Sequence, residues 1–267
     1  IVAKEKAIQL KKDNTYTSPC HMAMTTRKEG EFTIKYDKEA NGAKTYISYG
    51  NLTYEEIEKI SWKVNNHLFE IIEENQPRKL YFDIDKRFIS DEDNIECFKL
   101  IHKLVKRTLG INMKNHTNPI AVCFGSGEKD GYKKVSWHIV VNGKFFKNLE
   151  EQQRYINYLN YVITLEDEYD GLRFGVLDFN VYKKSQAFKL PYQSKAFKNI
   201  IQEPHDEDHT LEEFLLTNYN NEEFYDISKF EKVNTTKKKV KGADGKMISL
   251  DFNEATIIQS YVNHIGK

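Results

Sequence analysis

Apolar and polar positions alternate one by one in two stretches near the start of the chain, Phe32-Thr33-Ile34-Lys35-Tyr36 and Thr45-Tyr46-Ile47-Ser48-Tyr49. That period predicts half-buried strands, and Asn41-Gly42 between them marks a hairpin. The period then lengthens. Ile57, Ile60, Val64, Leu68 and Ile71 recur at helical spacing, so a helix is expected over 54–74, with Thr53 as N-cap and Pro77 closing the module. Another short helix is expected over 1–12, ahead of a turn at Ser18-Pro19.

From residue 79 the pattern predicts a strand (79–85) and a helix (94–109) carrying Ile95, Phe98, Ile101, Leu104 and Val105 and stopped by Gly110. A strand (119–124), a loop rich in glycine (Gly125, Gly127, Gly131), a strand (134–141), a helix (149–164) and extended segments between 174 and 190 follow. The order β-α-β-β-α-β is the split βαβ, or ferredoxin-like, unit. Its first and third strands are central neighbours; helices cover one sheet face and leave the other open. The expected class is therefore α+β. A smaller N-terminal α/β module spans 1–76, an RRM-like module 77–205, and a C-terminal helical extension and linker 206–267, forming one compact domain overall.

The alternation also decides which polar groups meet. In Leu80-Tyr81-Phe82-Asp83-Ile84-Asp85, both carboxylates share one face while Leu80, Phe82 and Ile84 share the other. Side by side they repel, raising one pKa unless a cation lies between them. The two readings are a divalent-metal site and a strand end facing water. On the third strand Val135, Trp137, Ile139 and Val141 are the helix-facing set, which puts Lys134, Ser136 and His138 on the face of the acids, one strand away. In Leu177-Asp178-Phe179-Asn180-Val181-Tyr182 the same alternation turns Asp178 to that side.

Lys, Arg, Asp and Glu give a formal net charge of +0, so no global basic field announces nucleic acid. Locally the balance breaks: from 179 to 202 there are Lys183, Lys184, Lys189, Lys195 and Lys198 and no acid, interleaved with Phe179, Tyr182, Phe188, Tyr192 and Phe197. Lysines among aromatics suit phosphates and stacked bases; a solvated loop over core aromatics is the plainer reading. Mean hydropathy is −0.67 and no apolar run approaches the ~20 residues of a membrane span, so no membrane partner is expected. Cys20, Cys97 and Cys123 are far apart with no C-x-x-C pair, which points to a reducing, intracellular compartment and away from a zinc knuckle.

These motifs resemble the catalytic core of the archaeo-eukaryotic primase superfamily. The resemblance is greatest to its primase–polymerase branch, including the N-terminal primase domains of primase–helicases in large DNA viruses. A hydrophobic strand ending D-x-D (80–85), an S-x-H strand (Lys134-Val135-Ser136-Trp137-His138) and a hydrophobic-Asp strand (Leu177-Asp178) with a basic follow-on occur in family order over 78–196. The follow-on departs from the family at Lys189, where Arg is usual, and at Ala187, where Asn is frequent, replacing a planar phosphate clamp by a point charge.

The resemblance implies a DNA-dependent primase–polymerase making primers from nucleoside triphosphates on single-stranded DNA. Asp83, Asp85 and Asp178 would hold two Mg²⁺ or Mn²⁺ ions ~3.5–4 Å apart. Lys134, Ser136 and His138 would contact the incoming triphosphate. Lys189 and Lys195 would serve as further phosphate or template contacts, and Lys183, Lys184 and Lys198 as nucleic-acid contacts. It allows a helicase domain in the same full-length chain, and, for a viral protein, a place in the host cytoplasm or nucleus.

Two alternatives stay open: a two-metal nuclease, which would recruit further acids, and a non-catalytic nucleic-acid-binding module. Elsewhere, His205 and His209 are read as an acidic loop before a helix at 210–217, residues 237–241 as a solvated connector, and 251–264 as a helix. The ends, Ile1 and Gly266-Lys267, read as those of a trimmed piece.

Overall fold

Helix α1 (Pro19–Thr26) begins where the turn was expected: the Ser18 side chain accepts from the His21 N–H and Pro19 fills the first turn, where no donor is needed. The expected hairpin follows, with β1 (Glu31–Ala40) and β2 (Lys44–Thr53) antiparallel from Glu31 opposite Thr53 to Ala40 opposite Lys44. This computed structural model describes residues 18–40, 44–87, 91–110, 120–129, 132–173, 176–198, 200–205, 208–219, 223–228, 230, 238–241 and 247–250.

The long helix expected over 54–74 is a correction. Helix α2 is only Tyr54–Ser61, started as expected by Thr53, which forms a reciprocal capping box with Glu56. Leu68–Ile72 forms strand β3 instead, buried at all five positions between β1 and a later strand. A helix over this stretch could not bury consecutive residues on both sides; a central strand does. The break is held by a distant side chain. Gln193, fully buried, donates to the Ser61 and Val64 carbonyls and accepts from the Asn66 and Leu68 N–H groups.

The second half builds β4 (Arg78–Arg87), α3 (Asp91–Leu109), β5 (Ile120–Lys129), β6 (Tyr132–Phe146) and α4 (Leu149–Leu165). β6 lies antiparallel between β4 and β5, and Leu177 bridges Ile84 on β4's other edge. The first and third strands are thus central neighbours, in an α+β chain whose sheets are mainly antiparallel. The expected fourth strand shrinks to that single bridge and a 3-10 turn at Phe179–Val181. Leu80, Phe82, Ile84, Ile139 and Val141 pack with Ile101, Leu104 and Val105 of α3 and Leu159, Val162 and Ile163 of α4. Each such buried side chain contributes roughly 1.5–3 kcal/mol.

Two further expectations are corrected. Gly125 and Gly127 lie within β5, not in a loop. The sheet face opposite the helices is not open: β7 (Gln186–Lys189) pairs with β3 as the edge of the first sheet and lays Phe188 across Tyr81 and His138, at ring-centroid separations of 4.9 and 4.4 Å. Tyr81 and Val140 make the apolar end of this face.

Past residue 200, β8 (Glu203–Pro204) pairs with β5, and α5 (Leu211–Phe214) is shorter than the expected helix. The segment after it is pinned by Glu70 of β3, whose carboxylate accepts from the Leu216 and Thr217 N–H groups and the Thr217 hydroxyl. β9 (Glu223–Phe224) runs parallel to β6. Within the stretch read as a connector, Lys238–Lys241 forms β10, paired with β11 (Met247–Leu250). The helices expected over 1–12 and 251–264 lie outside the described residues. No helix among the described residues is long and apolar enough to cross a membrane.

Candidate active site

The β4–β6 register sets Asp83 opposite His138 and Asp85 opposite Ser136. Directly opposed residues of an antiparallel pair share a face, so the expected meeting of acids and Lys-x-Ser-x-His row is present in the backbone itself. Asp178 joins through the bridge at Leu177: its N–H donates to the Asp83 carbonyl at 2.9 Å, and the Asp85 N–H donates to Val176 at 3.1 Å. Asp178 is therefore Asp83's neighbour on the free edge of β4. One of its oxygens already caps the following turn, accepting from the Asn180 N–H and side-chain amide.

The three carboxylates have unequal surroundings. Lys134 Nζ lies 2.7 Å from Asp85 Oδ2. Asp83 faces His138, with Nε2 at 3.6 Å from Oδ1, and that oxygen is buried without a hydrogen-bond partner. Burial, then the Asp85 and Asp178 charges, push the Asp83 carboxyl up to about 6, against the pull of Lys189 and Lys195. Burial and the charges of Lys189, Lys195 and Lys134 hold His138 well below the ordinary histidine range, so its imidazole is neutral at pH 7. Burial likewise lowers Lys189, to about 8, with Asp83 opposing the shift. The neutral imidazole leaves Asp83 short of positive charge.

Walls enclose this polar end of the sheet. After β7 the chain loops out through 190–198, and residues 200–201 lie across β5, where Gly125 and Gly127 leave room for them. A Cβ on Gly125 would sit 2.6 Å from the Ile201 carbonyl oxygen, and one on Gly127 2.7 Å from Ile200. Both glycines stand beside Ser136 and Lys134 in register, on the site-bearing face. A close-approach role for strand glycines is the sequence signal that could have placed this wall.

Of the expected site residues, Asp83, Asp85, Asp178, Lys134, Ser136, His138 and Lys189 come together on this face. Ser136 and His138 are only 5% and 3% exposed, so His138 meets Asp83 within the fold rather than solvent. Lys195 and Lys198 lie exposed on the loop above. Lys183 and Lys184 lie elsewhere, on a cavity of about 340 Å³ shared with Glu74 and Glu150, and Lys184 pairs with Glu74 at 2.7 Å. Those acids weaken the anion attraction expected of this pair.

Among the described residues no three His, Cys, Asp or Glu side chains form a ready-made metal cluster. The donor set nevertheless suits a hard divalent cation: carboxylates from β4 and from the turn bridged to it, one with an orphaned buried oxygen and a pKa raised by burial and by its acidic neighbours.

No family model matches the chain. In an alignment 160 positions long that covers 52% of the chain, it is 29% identical to "Uncharacterized protein ORF49" of Ostreid herpesvirus 1 (isolate France). The matched stretch spans 14% of that protein, so the chain is similar to a small part of a much longer herpesvirus protein.

Proposed function

We propose that the chain is the catalytic domain of a primase–polymerase, transferring nucleotides from nucleoside triphosphates onto a primer strand on single-stranded DNA. The observation that carries this is the register of β4 with β6, which puts an acid pair directly against a Lys-Ser-His row with a third acid docked alongside. Phosphoryl transfer asks for positioning and charge neutralisation more than covalent chemistry, and such a face offers both. The two-metal nuclease is less well supported, because the acids' strand neighbours are a lysine, a serine and a neutral histidine rather than more acids.

Asp83, Asp85 and Asp178 are the residues to hold Mg²⁺ or Mn²⁺, which would activate the attacking 3′-hydroxyl and neutralise charge on the pyrophosphate. Lys134 exchanges Asp85 for a triphosphate oxygen as the substrate binds. His138, neutral and packed on Phe188, faces Asp83 across the strand pair without a hydrogen bond to it. Lys189, lowered by burial yet beside Asp83 and Asp85, supplies positive charge at the inner wall.

The test is incubation with Mn²⁺ or Mg²⁺, labelled nucleoside triphosphates and an unprimed single-stranded template. Products longer than a dinucleotide, lost in Asp83→Ala/Asp85→Ala, support the proposal. Template shortening would mean a nuclease, and an unchanged template with no product a binding module.

A further inference from the structure

Of the five aromatics interleaved with lysines, four are occupied in the fold. Tyr182 and Phe188 are buried against Tyr81, Phe179 packs on the core, and Tyr192 meets Trp62 edge-on with centroids 5.0 Å apart. Phe197 differs. Its side chain is among the exposed large hydrophobics, at 42%, and its backbone is left-handed, with φ at 57°.

Left-handed backbone is disfavoured for any residue with a Cβ, and persists where its surroundings over-determine it. Here they do. The Phe197 N–H donates to Glu39 Oε1 at 2.7 Å, and that same oxygen lies 3.2 Å from His67 Nε2. His67, itself left-handed at φ 55°, sits with Nδ1 3.2 Å from the Ser194 carbonyl, and the Lys198 N–H closes the turn onto Lys195. The first sheet thus holds a bulky ring out into water in a conformation that its own burial does not repay.

The position of that ring supplies a use. It stands between the exposed Lys195 and Lys198, in a stretch with no acid from 179 to 202. Its loop leaves from β7, whose Phe188 packs on His138, and residues 200–201 beyond it lie over Gly125, beside Ser136, so the ring is carried by a segment anchored on the acid-bearing face. The charge of Lys195 is felt at Asp83.

We infer that Phe197 is a stacking platform for a base of single-stranded nucleic acid, with Lys195 and Lys198 on the flanking phosphates. Stacking on an aromatic combined with a cationic track is how single strands are held without sequence preference. The inference rests on the nucleic-acid reading of this site, and makes the loop the place where the template strand is gripped.

The test is binding of a labelled oligothymidylate by fluorescence anisotropy, without divalent cation or nucleotide, so that it is independent of turnover. Phe197→Ala is expected to weaken binding about tenfold with unchanged melting temperature. Phe197→Trp is expected to retain affinity, and its added emission over the Trp62 and Trp137 background to be quenched by the oligonucleotide but not by an abasic strand of equal length. Wild-type affinity in Phe197→Ala, or equal quenching by the abasic strand, would overturn the inference, as would a wild-type protein that binds no oligonucleotide. A protein that binds through Phe197 yet incorporates no nucleotide keeps this inference and loses the proposed reaction. One that polymerises while Phe197→Ala binds normally does the reverse.

Discussion

Tyr81 and Tyr182 hold each other's main chain: the Tyr81 hydroxyl donates to the Val181 carbonyl at 2.9 Å, and the Tyr182 hydroxyl donates to the Tyr81 carbonyl at 2.6 Å. Their rings, 5.2 Å apart, are both buried, Tyr81 also meeting Phe188. This double clasp seats the turn after Asp178 on β4 and so fixes the third carboxylate beside the first.

Tyr182→Phe keeps the ring and leaves the Tyr81 carbonyl without that donor. A stability loss on the order of 1–2 kcal/mol is expected in urea unfolding. Nucleotide incorporation should fall more than substrate affinity, because Asp178 loses its exact seat while Lys134 and Lys189 do not.

Asp83 gives a pH prediction with a definite sign. Its folded pKa is raised from 3.8 to about 6, so the folded state binds the proton more tightly. The stability it contributes is fully present below the ordinary value and is lost as pH rises through about 6. Asp83→Asn is therefore expected to melt higher than wild type near pH 7.5 without divalent cations, by on the order of 2 kcal/mol. The difference should vanish near pH 4, and the variant should be inactive. Equal melting temperatures across that range would show that Asp83 is not destabilised by its neighbours.

Divalent cation should invert that trend. Protons and metal compete for the same carboxylates, so Mn²⁺ is expected to raise the wild-type melting temperature at pH 8 and to do little at pH 5. Asp83→Asn should respond weakly at both. A thermal-shift titration checks this without any turnover.

Gln193→Leu removes partners from the Ser61 and Val64 carbonyls and from the Asn66 and Leu68 N–H groups in one substitution. A loss on the order of 3 kcal/mol is expected. Hydrogen exchange should speed first at Asn66 and Leu68, whose N–H groups both donate to the Gln193 side chain.

Gly125→Ala and Gly50→Ala make a matched pair within strands. The first forces a Cβ to within 2.6 Å of the Ile201 carbonyl, while the second meets nothing within 4 Å. Gly50→Ala should be neutral or slightly stabilising. Gly125→Ala should displace residues 200–202, lowering stability by about 1–3 kcal/mol and raising the KM for nucleotide.

The legible part of this protein is the part ruled by period two. Alternation in 80–85 and 134–141 assigns each side chain to a face, so the meeting of Asp83 and Asp85 with Ser136 and His138 follows from strand order alone. Thr53 was readable as a cap for the same reason, since its chemistry is local. The helix expected over 54–74 failed because Ile57, Leu68 and Ile71 satisfy a helical period by spacing alone. What makes 68–72 a strand is burial on both faces and the amide of Gln193, more than a hundred residues away.

The same division runs through the site. The sequence by itself determined which acids and bases share a face, because side-chain direction along a strand is a property of the backbone. Only the tertiary structure decided that this face is walled, that His138 is neutral and buried, that Lys183 and Lys184 look onto acids, and that Phe197 stands out in solvent. Those properties belong to distances between segments far apart in the chain: β7 lying over His138, the return limb filling the space at Gly125, and Glu39 reaching the backbone of Phe197. Desolvation and charge act through such distances, and no local pattern of residues carries them.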